Sequence, residues 1–99
     1  MNYLQYYLSA FYPGYWDGFE SESDAINKTF QNFTNLQIDK IIEFILKIDA
    51  QYDDDKELQT YVNSVSPNFY FDGNPKECRQ FLKLVVCLAK EFTSNGRSY

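Results

Sequence analysis

Asp53, Asp54 and Asp55 stand side by side in this 99-residue chain, and no other run packs carboxylates so densely. Adjacent carboxylates can hold a hard cation. A calcium loop, however, spaces its ligands around a Gly and ends on a Glu, and this run has neither. A solvated turn is the expected role. Cys78 and Cys87 are the only cysteines, and there is no His. Without His or a second Cys pair, four zinc ligands cannot be assembled. The lack of His also removes the commonest general base near neutral pH, and with it any Ser-His or Cys-His pair. The four glycines, at 14, 18, 73 and 96, form no phosphate-cradling loop. A carboxylate pair for glycoside cleavage needs a sugar cleft, for which a helical domain of this size has little room. No catalytic, metal-ligating or cofactor-binding residue is assigned, no cofactor is expected, and the chain reads as a non-enzyme.

What remains is chemistry suited to gripping another protein. The first 27 residues contain no Lys or Arg but hold Asp17, Glu20, Glu22, Asp24 and Trp16, among many tyrosines. Charged groups steer and select a partner, and Tyr and Trp supply much of the affinity at protein interfaces. Charge is unevenly spread. Residues 1–27 carry −4, and residues 49–72 carry −5 from six acids against Lys56. Residues 28–48 carry +1, and residues 73–99 carry +3 from five basic residues against Glu77 and Glu91. The acidity therefore collects in the first loop and at the junction around Tyr52–Glu57. The candidate partner contacts are Tyr15, Trp16, Asp17, Glu20, Glu22 and Asp24 in the first group. Tyr52, Asp53, Asp54, Asp55 and Glu57 make up the second. For each carboxylate the plainer alternative is a solvated face. Trp16 is expected to plug the core with one edge exposed.

Composition bounds the rest. Ninety-nine residues make one domain, spanning 1–99 with a core over about 3–92 and a frayed tail over 94–99. The chain is 44% hydrophobic and 19% aromatic, enough to fill a modest core with large side chains. The net charge of −5 argues against nucleic acid and against anionic membrane surfaces, and permits a cationic protein partner. No export signal is read at the amino terminus, and no apolar stretch approaches the ~20 residues of a membrane span. A cytoplasmic protein is expected. Nine residues of helix turn by about 900°, so Cys78 and Cys87 on one helix face opposite ways and cannot pair. Two buried free thiols are expected.

The apolar spacing predicts an all-α bundle of about five helices that must position these groups. Leu4, Tyr7, Leu8 and Phe11 mark a first helix over 2–11, stopped by Pro13 and Gly14. Tyr15 to Glu20 is a loop. Ser21 or Ser23 caps a second helix with Ile26, Phe30 and Phe33 inward. Thr34 or Asn35 opens a third, carrying Ile38, Ile41, Ile42, Ile45, Ile48 and Tyr52 on one stripe. The three Asp residues turn the chain into a fourth helix over 55–65, with Leu58, Tyr61, Val62 and Val65 inward. Phe69, Tyr70 and Phe71 form an extended aromatic connector. Pro75 suits the first turn of the last helix, with Cys78, Phe81, Leu82, Val85, Leu88, Ala89 and Phe92 inward. Ser94, Asn95 and Gly96 close it.

The order of these pieces resembles a known family. The segment LQYYLSAFYPGYWDGFESESDAI is similar to the opening of small helical immunity proteins of contact-dependent growth inhibition. In these an aromatic helix leads through a Trp-Asp loop to an acidic helix start. The aliphatic helix Leu36–Ile48, the Asp-Lys-Glu-Leu at 55–58, the connector Phe69–Phe71 and the final RQFLKLVV also fit, so the resemblance covers about residues 3–92. The chain departs from the pattern where Pro13 and Tyr15 stand in place of a His and an Asp before the Trp, and at Phe81, where a Trp is common. The resemblance implies a cytoplasmic antidote. It would bind the carboxyl-terminal toxin domain of a cell-surface effector, as a monomer in a one-to-one complex, and block its active site or substrate access. Many such toxins are nucleases, whose phosphate-binding surfaces are basic. Three alternatives remain open: a generic acidic helical adaptor, a small enzyme or ligand-binding domain, and an immunity protein of the nuclease-colicin type.

Overall fold

Four of the five helices start where a side chain takes up a backbone N–H that the helix leaves free. In the computed structural model, which describes residues 2–11, 18–66 and 73–94, Asn2 caps α1 (Tyr3–Leu8). Its side chain accepts from the Gln5 N–H at 2.9 Å. Ser21 caps α2 (Glu22–Thr29), accepting from the Asp24 N–H at 3.2 Å. Thr34 opens α3 (Asn35–Gln51) with a full capping box. Its hydroxyl accepts from the Gln37 N–H at 3.1 Å, and the Gln37 side chain accepts from the Thr34 N–H at 2.9 Å. Two orphan donors are thereby satisfied at one helix end. α4 (Asp55–Val65) starts without a side-chain cap from Asp54, but Asp55 and Glu57 place negative charge in its first turn. Pro75 begins α5 (Pro75–Ser94), where its missing N–H costs nothing, and the Asn74 side chain before it accepts from the Lys76 N–H at 3.0 Å. Among the described residues there is no strand, and the protein is an all-α bundle.

α5 is the spine. It packs against α2, α3 and α4, while α1 covers α3 and touches α4. The core runs between them: Leu4, Leu8, Ile26, Ile38, Ile41, Ile45, Leu58, Val62, Leu82 and Val85 are all buried. Tyr7 is at its aromatic centre. Its ring stacks on Phe30 at 5.9 Å and meets Phe11 edge-on at 5.4 Å. Phe11 in turn meets Phe81 edge-on at 6.0 Å, which ties the first helix to the last. The Tyr7 hydroxyl lies 2.9 Å from the buried Thr29 hydroxyl, which is 2.6 Å from the Ile26 carbonyl. Thr29 has one proton to give and spends it on Ile26, so Tyr7 donates to Thr29. Two buried hydroxyls are thus satisfied inside an apolar core.

Several expectations are corrected. The first helix is α-helical only over Tyr3–Leu8, not 2–11. Beyond it, i→i+3 bonds from Ala10 to Tyr7 and Phe11 to Leu8 tighten the chain and turn Phe11 inward. Phe30 is buried as foreseen but belongs to a 3₁₀ turn, Phe30–Asn32. Tyr52 does not continue the α3 stripe; it is the extended C-cap and is half-buried. Tyr61, Val65, Leu88 and Phe92 are half-buried rather than enclosed, while Val86 is buried and was not foreseen. Of the two thiols only Cys78 is buried; Cys87 is exposed, because α5 is covered on one side and Cys87 points to the other. Tyr15, Trp16 and Asp17, the connector Phe69–Phe71, and Asn95 and Gly96 lie outside the described residues.

Tyr7→Phe leaves the Thr29 hydroxyl bonded to Ile26 and removes one bond from the core. A stability loss of about 1 kcal/mol is expected, with an unchanged urea m-value. An unchanged midpoint would show that the hydroxyl pair adds nothing over a Phe ring.

Candidate partner-binding site

The acidic junction between α3 and α4 is built around a cation from a third helix. Arg79, in the second turn of α5, extends its guanidinium over the end of α3. Its Nη1 donates to Asp49 Oδ1 at 2.5 Å and to the Asp49 carbonyl at 3.2 Å. Its Nη2 donates to the Tyr52 carbonyl at 2.5 Å, and its Nε to Asp55 Oδ1. The planar fork fits this arrangement, since it serves two carboxylates and two carbonyls at once. The charge also suits the carboxyl-terminal end of a helix, where carbonyls lack partners. The Arg79 side chain is only 16% exposed. The hydrogen bond with Asp55 is the largest influence holding its pKa above the ordinary value, opposed by burial and helped by Asp49.

This clamp sorts the junction's carboxylates into two kinds. Asp49 and Asp55 are each 29% exposed and tied to Arg79. Asp55 was a candidate contact; the structure uses it to hold α4 to α5. Asp53, Asp54 and Glu57 are exposed and stand on backbone that the clamp positions. Five acids against Lys56 and Arg79 leave the corner at −3. Tyr52 is also partly committed. Its ring stacks on Tyr61 at 5.2 Å, and the Tyr61 hydroxyl accepts from Asn2 Nδ2 at 3.2 Å. It offers one edge beside the acids rather than a free ring.

The other candidate group is divided. Glu20, Glu22 and Asp24 are exposed at the start of α2. Glu22 and Asp24 lie in that helix's first turn, where negative charge offsets the dipole. Tyr15, Trp16 and Asp17 belong to a segment outside the described residues. Both acidic groups are attached to α5, through the packing of α2 along it and through Arg79.

Arg79 was missed by sequence reasoning. Its position after Cys78, on the border of the buried stripe of α5, marks a charge held near the core. Which acids it would meet depends on how α3 and α4 fold back.

Beside it, burial pushes the Cys78 thiol up to about 12, overcoming the opposing pull of Arg79, with Asp55 adding to the rise. This thiol is not a nucleophile at neutral pH. Among the described residues no group of three or more His, Cys, Asp or Glu is arranged to hold a metal ion, and no helix is long and apolar enough to cross a membrane. No protein-family model, curated protein or solved structure matches the chain.

Arg79→Lys keeps the charge but cannot serve four acceptors in one plane. It should cost about 1–2 kcal/mol, and Arg79→Ala about 2–3 kcal/mol, read as falls in the urea midpoint. Full stability of the Lys variant would mean that charge alone holds the junction.

The Cys78 thiol gives a pH dependence. In the unfolded chain it ionises near 9.0, but in the fold only near 12. The folded state therefore binds the extra proton between those values, and stability that is whole below about pH 9 falls as pH rises toward about 12. Urea midpoints at about pH 8 and about pH 10.5 should differ more for the native chain than for Cys78→Ala. Equal differences would sink the idea.

Proposed function

We propose that this protein binds a basic toxin domain and neutralises it, as an immunity protein of the contact-dependent growth inhibition kind acting in the cytoplasm of the producing cell. The observation that carries this reading is the α3–α4 corner: three exposed carboxylates, Asp53, Asp54 and Glu57, on backbone held by the Arg79 clamp. A surface already ordered before binding loses little entropy on association. Its −3 charge attracts a cationic surface at long range and raises the rate of encounter. A nuclease must present such a surface to a phosphate backbone. Carboxylates seated there exclude the phosphates and so deny the toxin its substrate. The similarity of residues 3–92 to the family supports the same reading. No catalytic role belongs to it.

The first test is gene context. A toxin-domain reading frame is expected directly upstream, and its absence would count against the proposal. The remaining tests use that domain. Co-expression should protect cells from that domain, and the purified pair should associate quickly at low salt. Replacing Asp53 and Asp54 by Asn together with Glu57 by Gln should slow association about tenfold, with dissociation little changed. An unchanged association rate at low salt would remove the corner from the interface. Failure to protect, with recovery of a housekeeping complex from the host lysate instead, would favour an acidic adaptor.

A further inference from the structure

The groove between α3 and α5, away from the Asp53–Glu57 corner, has a charge pattern unlike the rest of the protein. One end is lined by Asp49 and Lys83 with Ile45, Leu46, Leu82 and Val86. The other is lined by Asp39, Glu43 and Lys90 with Ile42. Residue numbers rise along α3 as they fall along α5, so the two helices run antiparallel. All the acids of this face are on α3, and both free lysines are on α5. Asp49 is already neutralised by Arg79. Glu43 also lies 3.8 Å from Lys40 on its own helix, an exposed pair of little strength that leaves its carboxylate accessible. Among the described residues lining the groove, Asp39 and Glu43 therefore balance Lys83 and Lys90. In a chain of net charge −5, this face is neutral and divided into an acidic half and a basic half. Between the halves Leu46 is 46% exposed, beside the nearly covered Ile42 and Val86.

The geometry points to a second copy of this chain as the occupant. A two-fold axis lying in the interface, parallel to the helices, exchanges left and right but leaves position along the helices unchanged. It lays α3 of each copy over α5 of the other. Lys90 then faces the partner copy's acidic Asp39–Glu43 end, while Lys83 lies over the level of Asp49, whose charge Arg79 already takes up, so the attraction rests on Lys90. Leu46 of each copy covers the floor around Val86 of the other. An axis across the helices would instead set α3 on α3 and α5 on α5, with Lys83 of each copy over Lys90 of the other. The apolar area is small, so the pair is weak, with a dissociation constant of roughly 100 μM. The corner assigned to the toxin stays exposed in the pair. The inference does not depend on that assignment, and each chain can still meet one toxin domain.

Sedimentation equilibrium of the full chain alone, from about 10 μM to about 1 mM, tests it. The expected result is a mass that climbs from one chain toward two. Lys83→Glu with Lys90→Glu should hold the protein at one chain, as should Asp39→Lys with Glu43→Lys. An equimolar mixture of these two variants should restore pairing, because each acidic face then meets a basic one on both sides of the axis. Circular dichroism melts confirm that the variants are folded, and Leu46→Ser provides a milder variant that should weaken pairing several-fold. A single-chain mass for the native protein at every concentration overturns the inference, as does pairing that ignores the charge reversals or a mixture that fails to pair. If the native chain stays single while Leu46→Ser weakens toxin binding, the groove belongs to the toxin.

Discussion

Arg79 makes the contacts on which the arrangement of the carboxyl-terminal half depends. Its guanidinium takes the last carbonyls of α3, a carboxylate near the end of that helix, and a carboxylate in the first turn of α4. Three helices meet at one planar cation. The acidic turn between α3 and α4 would otherwise bring five carboxylates and a negative helix end together, and like charges so close repel. A cation at the centre converts that repulsion into a joint. The apolar side chains below it, Leu58, Cys78 and Leu82, can then close without a buried unpaired charge.

The clamp also divides charge used inside the fold from charge left facing outward. Asp49 and Asp55 have a partner inside the molecule, so they contribute little to the field outside it. Asp53, Asp54 and Glu57 have no such role in holding the joint, and they give the corner its outward potential. The same division applies to α2, where Glu22 and Asp24 serve a helix end while remaining exposed. Acid content alone overstates what such a surface offers a partner. The relevant quantity is the charge left after the fold has used what it needs. The α3–α5 face shows the other limit, in which acids and lysines balance across a groove and only the pattern remains.

The helices were legible because their signals are local. Thr34 followed by Gln37 is a capping box written in the sequence, and Pro75 marks the start of α5. The isoleucines of α3 keep a helical period that leaves one buried face. The fourth helix falls at Asp55–Val65, as its acidic start and apolar spacing predict. The misreadings came where tertiary packing decides. Phe11 and Phe30 are core residues in either reading, but tight turns rather than α-helix deliver them. Cys87, expected to be buried, sits exposed because it lies on the side of α5 turned away from the described helices packed on it. Of the candidate contacts, Glu20, Glu22, Asp24, Asp53, Asp54 and Glu57 are exposed. Asp55 is diverted to Arg79, and Tyr52 is half-turned toward Tyr61.

The sequence by itself determined an all-α chain, the start of its capped helices and most of the apolar residues that fill the core. Those properties follow from periodicity and from side chains acting on backbone within a few residues. Only the tertiary structure decided which charges are held inside the molecule and which face outward, because Arg79 meets Asp49 and Asp55 from 30 and 24 positions away. It also decided that Tyr7 and Thr29, 22 positions apart, satisfy each other in the core. Pairings across such separations depend on how helices pack, and no local pattern encodes which distant group will be the neighbour.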